Sequence, residues 1–308
     1  MDAATRAAGV LAALQSAGAP SGAVACRTPG DGPAAASAWG LVDASAVFEA
    51  GSVTKTVTGL LLALAIEAGE VSGSDRLDRF LPGAGPAGGA TLAELATHTS
   101  GLPRVPRATL LRSLAHTADP YRGASLPRLI RDTRRVRRRA PGKAAYSNLG
   151  VALLGQALAA AVTLPYWELA RIRVLAPLGM TDSGNPPKSA LAVPGRAWDL
   201  AAFAPCGGLR ATVADLLRLA WVAARPGESP FPAAASAALT RRAPMNGGYV
   251  GWCWMLKPKA GQPDDAWHDG ATGAGWAFIG ASSTCGVAAC VPARLRAAFD
   301  TAAWQALD

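Results

Sequence analysis

Phe48-Glu49-Ala50-Gly51-Ser52-Val53-Thr54-Lys55 places a serine three residues before a lysine at the head of an apolar run. Ala50-Gly51 interrupts the preceding pattern, Ser52 reads as a first-turn or capping residue, and Val53 to Ile66 carries no charge except Lys55, the mark of a buried helix. Residues i and i+3 share a helix face, so Lys55 reaches the Ser52 hydroxyl, and the helix N-terminus adds positive potential where an oxyanion forms. The chain has thirty Lys and Arg residues, of which only five are lysine, and none of the other four lysines has a serine three positions before it. A site that needs a proton acceptor uses lysine even in an arginine-rich protein, because arginine does not give up its proton. Ser-x-x-Lys alone is short enough to arise by accident, so the rest of the chain has to carry the case.

At 308 residues, half of them hydrophobic and only 17% charged, the chain has the composition of a globular protein with a large core. The N-terminus shows no basic stretch followed by an apolar core and a cleavage site, and Val57 to Ile66 is too short for a membrane span. The expectation is a soluble, cytoplasmic protein that makes no membrane contact. Five cysteines without paired spacing and three scattered histidines read as buried thiols and no metal site. The net charge of +9 is concentrated at Arg131-Asp132-Thr133-Arg134-Arg135-Val136-Arg137-Arg138-Arg139. That run lacks interleaved aromatics to stack on bases, so it reads as a solvated face, with no nucleic-acid partner expected.

Along the chain, Thr5 to Ala17 has helical spacing, and Ala23 to Arg27, Ala36 to Val42 and Ala46 to Glu49 read as strands leading to Ser52. Gly73 to Gly89 is loop-rich, Leu92 to Leu95 begins a short helix, Thr109 to Val174 is helical with breaks, and Pro186 to Gly208 is irregular. Thr212 caps a helix to Ala224, with Asp215 in a position resembling a capping box. Tyr249 to Leu256, Ala277 to Ala281 and Gly286 to Val291 read as strands, and Ala293 to Leu307 as a closing helix. The fold class is therefore α+β, of α/β sandwich type: an antiparallel sheet from the N- and C-terminal parts, flanked by helices, with a mostly helical domain inserted. The expected boundaries are 1–70 with 207–308 for the sheet domain and 71–206 for the helical one.

Two further motifs lift the serine above accident. Tyr146-Ser147-Asn148 follows Pro141-Gly142 and precedes a helix, in a chain with only four tyrosines and three asparagines. His268-Asp269-Gly270-Ala271 stands at what reads as the start of a strand. With Ser52-Val53-Thr54-Lys55 as Ser-x-x-Lys, Tyr146-Ser147-Asn148 as Tyr-x-Asn and His268-Asp269-Gly270 where Lys-Thr-Gly or His-x-Gly is usual, the chain resembles the serine beta-lactamase and DD-peptidase superfamily, in its class C-like esterase and transacylase branch. His98-Thr99-Ser100-Gly101-Leu102-Pro103 and Gly207-Gly208-Leu209-Arg210-Ala211-Thr212 look like that family's structural landmarks, in the same order.

The resemblance implies an acyl-enzyme on Ser52, with Lys55 and Tyr146 as the two candidates for its proton. It implies that Asn148 orients Lys55 and holds a substrate carbonyl, that Gly270 lets the strand pass close to substrate, and that the backbone amides of Ser52 and Ala271 form the oxyanion hole. It implies no cofactor and a structural role for His98. Carboxylate-recognising members carry lysine where this chain has His268, which points away from penicillins and peptidoglycan peptides and toward a small ester or amide. The alternatives are a transacylase passing the group to an amine or alcohol in natural-product biosynthesis, then a beta-lactamase or D-Ala carboxypeptidase, then a silent binding protein. Trp252, Trp254, Trp267 and Trp276 read as sheet packing, with one or two as possible pocket lining.

Overall fold

The computed structural model describes residues 1–30, 34–115, 119–185, 191, 197–292, 297–305 and 307. Helix α1 (Ala3–Ser16) begins where the Asp2 carboxylate accepts from the Thr5 amide at 2.7 Å, and it buries one stripe, Ala3, Ala7, Val10 and Leu14. Strands β1 (Gly22–Arg27), β2 (Ala35–Trp39) and β3 (Phe48–Glu49) lead to a 3-10 turn, Gly51–Val53, and helix α2 (Thr54–Glu67). A run of helices follows: α3 (Leu92–Ala96), α4 (Arg107–Ala115), α5 (Leu126–Thr133), α6 (Asn148–Ala161) and α7 (Tyr166–Ala170). Strand β4 (Arg210–Ala211), helices α8 (Val213–Ala224) and α9 (Pro232–Ala238), strands β5 (Ala243–Met245), β6 (Gly248–Val250), β7 (Met255–Lys257), β8 (Asp265–Ala271), β9 (Trp276–Ala281) and β10 (Gly286–Val291), and helix α10 (Ala297–Trp304) complete the order.

The main sheet runs β2-β1-β10-β9-β8-β7-β6-β5, so the N-terminal hairpin pairs onto the last strand of the chain. All its pairings are antiparallel. The strands are apolar at consecutive positions because both faces are covered. Val287, Ala289 and Val291 of β10 turn to α1 and α10, and Ala288 and Cys290 turn to the core shared with α2, α6 and α8. Helices α2 and α6 are buried almost all round, which is what their lack of an amphipathic stripe requires. This is the expected mixed architecture, a sheet closed by both ends of the chain with helices between. The five cysteines are buried thiols in no disulfide. Among the described residues, no single helix is long and apolar enough to cross a membrane.

Several elements differ from the sequence reading. The strand expected over Tyr249–Leu256 is split into β6 and β7. The chain leaves the sheet at Gly251–Trp254, where Trp252 N bonds Ala238 O at 2.8 Å and Cys253 N bonds Ala96 O at 3.0 Å. That detour presses on α2, and a Cβ on Gly59 would lie 1.9 Å from Trp252 O. The segment Ala46–Glu49 contributes only β3, which pairs with β4 away from the main sheet, and β2 stops at Trp39. Thr212 caps α8 as expected, accepting from Asp215 N at 3.2 Å. The Asp215 carboxylate does not close a box; it accepts from Asp182 N at 3.1 Å and Ser183 Oγ at 2.8 Å. Parts of the irregular Pro186–Gly208 stretch and of the closing helix over Ala293–Leu307 lie outside the described residues.

Candidate active site

Ser52 sits in the middle of the 3-10 turn, two residues before α2 begins, rather than inside the α-helix. The turn needs Gly51 in the left-handed region, φ +50°, and a Cβ there would lie 2.8 Å from Ala271 N. The Thr54 hydroxyl locks it by donating to Gly51 O at 2.6 Å while accepting from Leu209 N at 2.9 Å, and Ala50 N bonds Leu209 O at 2.9 Å. Lys55 is fully buried. Its Nζ donates to Ser52 Oγ at 2.7 Å and to Cys206 O at 2.6 Å, and it stands 4.9 Å from the centre of the Tyr146 ring. A buried amine has to be satisfied in this way, and the geometry places it in reach of the serine proton.

Strand β8 forms the opposite lip. It begins at Asp265, so the His268 motif occupies its second half rather than its start. Gly270 passes so close to the serine turn that a Cβ would lie 2.0 Å from Ala50 O and 2.6 Å from Ser52 N. Thr272 N bonds Gly275 O at 2.9 Å at the hairpin end, so the next pair, Ala271 with Trp276, is a non-bonded one and the Ala271 amide turns away from β9. The amides of Ser52 and Ala271 thus come close together where turn and strand meet, the place at which the resemblance implies an oxyanion hole.

His268 is buried, and its Nδ1 lies 2.6 Å from the carbonyl of Asp269. A carbonyl only accepts, so Nδ1 carries the proton and the unpartnered Nε2 is left as an acceptor. Burial depresses the His268 pKa to about 4, with the Lys55 charge acting in the same direction and the Asp269 charge and carbonyl opposing it. The imidazole is therefore neutral at neutral pH.

Tyr146 and Asn148 come from the far wall, where α6 begins. Ser147 caps that helix by accepting from Gly150 N at 2.9 Å and donates to Pro103 O at 2.7 Å. His98, at φ +58°, accepts from Ser147 N on Nδ1 at 3.2 Å and accepts from Ala145 N on its carbonyl at 2.8 Å. Its ring lies 4.7 Å from that of Tyr146. Burial holds the His98 pKa well below the usual histidine value, and the Lys55 and His268 charges add to that. His98 is a neutral clamp on the Tyr146 segment. The Tyr146 hydroxyl has no hydrogen bond among the described residues and lies open to substrate.

Asn148 differs from the expectation. Its Nδ2 donates to Tyr121 Oη at 3.0 Å, and its Oδ1 is buried with no partner. It makes no hydrogen bond to Lys55, whose amine donates to Ser52 Oγ and to the Cys206 carbonyl. Tyr121, Cys206 and Arg104 are the parts of the site that sequence reasoning missed. Tyr121 packs on Phe203 at 4.9 Å and Trp198 at 5.7 Å. Its being one of only four tyrosines was the available signal. A backbone carbonyl such as that of Cys206 leaves no side-chain signature. Trp252, Trp254 and Trp276 are packing residues, each buried, and no described group of three or more His, Cys, Asp or Glu side chains is arranged to hold a metal ion.

A buried lysine in contact with a serine, beside two neighbouring amides, defines the class of serine enzymes that transfer acyl groups without a histidine base. A family model described as Beta-lactamase matches residues 8–291, and the chain belongs to that family. Among curated relatives, the D-alanyl-D-alanine-carboxypeptidase/endopeptidase AmpH of Escherichia coli K12 is 34% identical over 151 residues, which is 44% of this chain and 36% of that protein. The chain thus matches little more than a third of that relative's length. Penicillin-binding protein 4 of Amycolatopsis lactamdurans is 28% identical over 285 residues, 80% of this chain and 72% of that protein. A class C beta-lactamase from Rhodobacter sphaeroides superposes with a TM-score of 0.81 at 20% identity, covering 97% of this chain and 98% of its own. A beta-lactamase/D-alanine carboxypeptidase from Pseudomonas syringae gives 0.81 at 17%, covering 99% of each chain. At these identities the structures speak to the fold alone.

Proposed function

We propose that this chain is a serine hydrolase that forms an acyl-enzyme on Ser52 from a small ester or amide. The observation that carries the reading is the 2.7 Å contact between Lys55 Nζ and Ser52 Oγ. As Oγ attacks the carbonyl carbon, its proton passes to the Lys55–Tyr146 pair, and the Ser52 and Ala271 amides take the oxyanion. The open Tyr146 hydroxyl returns a proton to the leaving group, and water then releases the acid. Asn148 Oδ1, buried without a partner, accepts from a substrate donor such as an amide N–H.

The names of the relatives favour a D-alanyl peptide as a competing substrate, and the neutral His268 weighs against it, since it supplies no cation to a carboxylate. A fluorophosphonate is expected to add one adduct to Ser52, read by mass spectrometry of the tryptic peptide. A panel of chromogenic short-chain esters, a cephalosporin and D-alanyl peptides then ranks the substrates. Absence of a Ser52 adduct, under conditions that label a related esterase, would sink the reading. Adding an amine or alcohol acceptor separates hydrolysis from transacylation: product partition that rises with acceptor assigns the latter.

A further inference from the structure

Arg104 directly follows the Gly101-Leu102-Pro103 landmark, and no catalytic step above uses it. Its backbone is fixed to the catalytic wall, since Arg104 O accepts from Leu149 N at 3.0 Å, one residue beyond Asn148. Its guanidinium carbon lies 5.2 Å from the centre of the Tyr146 ring, the same ring that Lys55 approaches. The side chain is exposed, yet its charge is felt by the buried Tyr121 and Cys206 side chains behind the site. Among the described residues, no carboxylate pairs with it. Some arginines elsewhere are paired with a carboxylate, as in Arg173 with Glu70 at 2.5 Å and Arg138 with Glu94 at 2.6 Å, and others, such as Arg27 over Trp221, stand against a ring as Arg104 does.

Of the two cations over Tyr146, Lys55 is fully buried and directed to Ser52 Oγ and the Cys206 carbonyl. His268 is neutral at working pH, so it supplies no positive charge from the β8 lip. We infer that Arg104 is a specificity-determining residue, and that the substrate of the Ser52 reaction carries an anionic group, a carboxylate or its like, on the side of the scissile bond that faces α6. A guanidinium stacked on an aromatic ring keeps its fork of N–H donors free for such a group and loses little freedom in binding it. The anion is then read from the tyrosine wall instead of from the third motif.

This inference rests on the acyl-enzyme reading, and the test separates the two. Wild type, Arg104→Ala, Arg104→Lys and Arg104→Glu are each assayed on para-nitrophenyl butyrate, on a matched ester with a carboxylate in the acyl half, and on one with a carboxylate in the leaving group. Fluorophosphonate labelling of Ser52 runs alongside. Arg104→Ala is expected to lower the ratio of kcat/KM for one of the two anionic esters over the neutral ester by about 10- to 100-fold, the usual worth of a charge-assisted bond. The loss falls mainly in KM. Arg104→Lys restores part of it, and Arg104→Glu shifts the preference toward an ester bearing an ammonium group, which a purely structural role would not do. A labelled wild type whose two ratios match those of Arg104→Ala overturns the inference while leaving the acyl-enzyme intact. A wild type that neither labels nor turns over any ester removes the reading and the inference with it.

Discussion

The two walls of the cleft are built differently. On the side of α2 and β8 the polar groups are mostly spent. Lys55 holds Ser52 and Cys206, Thr54 holds Gly51 and Leu209, and Thr58 bonds Tyr166 Oη and Pro205 O, each at 2.7 Å. On the side of α6 and the loop over residues 98–104, the Tyr146 hydroxyl, Asn148 Oδ1 and Arg104 are without partners among the described residues. A saturated wall holds the reacting atoms in one geometry, which preorganised catalysis needs. An unsaturated wall gives a substrate something to bind. In the proposed mechanism the nucleophile and its amine are thus fixed on one side of the cleft, while Tyr146 and the groups left for substrate stand on the other.

Substitutions sharpen that contrast, and the largest effects belong to the saturated wall. Lys55→Arg keeps the charge but cannot accept a proton and does not fit the space between Ser52 and Cys206. Acylation rates with a chromogenic ester are expected to fall about a thousandfold or more. Gly270→Ala would drive a methyl group into Ala50 O at 2.0 Å. Because backbone on both sides has to move, we expect both the oxyanion hole and the stability to suffer, with about 2–4 kcal/mol lost in denaturant unfolding.

Tyr121→Phe, behind the open wall, should do less. It frees Asn148 Nδ2, which costs about 1–2 kcal/mol of stability, and it lowers turnover of amides more than of simple esters, because only the amides use Asn148. Equal losses on both substrates would show that Asn148 is a packing residue and break the contrast.

The smallest effect lies behind β8 and concerns pH. Burial and the charge of Asp269 raise the Asp300 pKa to about 6 against a reference of 3.8, opposed by its bond from Trp276. The folded state therefore holds a proton there that the unfolded state releases, and stability from Asp300 falls as pH rises through about 6. His268 has the opposite sign. Its folded value of about 4 lies below its reference of 6.5, so stability is lost as pH falls from 6.5 toward 4. The two slopes offset each other in the wild type. Asp300→Asn removes the first, so its Tm should gain on that of the wild type between pH 4 and pH 7 and should fall more steeply with acid. Parallel curves for the two proteins would refute this assignment.

Ser52, Lys55 and Tyr146 were legible because lysine and tyrosine are rare in this chain and the motifs they belong to have fixed offsets beside a chain break. Strands β1, β9 and β10 were legible as apolar runs, and Gly286–Val291 matches β10 residue for residue, whereas the short β5 was not read. The split at Gly251–Trp254 was not, since its cause is the approach of α2 from nearly two hundred positions earlier, and a local pattern of Trp and Met reads as strand. The bond from Asn148 to Tyr121 was not legible for the same reason: the two residues are distant in sequence. Arg104 passed unnoticed because one arginine among so many carries no signal until its ring partner is known.

The sequence by itself determined the pairing of Ser52 with Lys55, the motif that sets Tyr146 across from them and the antiparallel sheet built from both chain ends. Side-chain type and local periodicity are enough for such features. Tertiary structure alone decided which carbonyl holds Lys55, that the Ala271 amide turns toward Ser52, that His268 is neutral and that Arg104 stands over Tyr146. Each of these depends on burial or on contacts between residues far apart in the chain, and electrostatics and hydrogen bonding act through space at a few ångströms, whatever the separation in sequence.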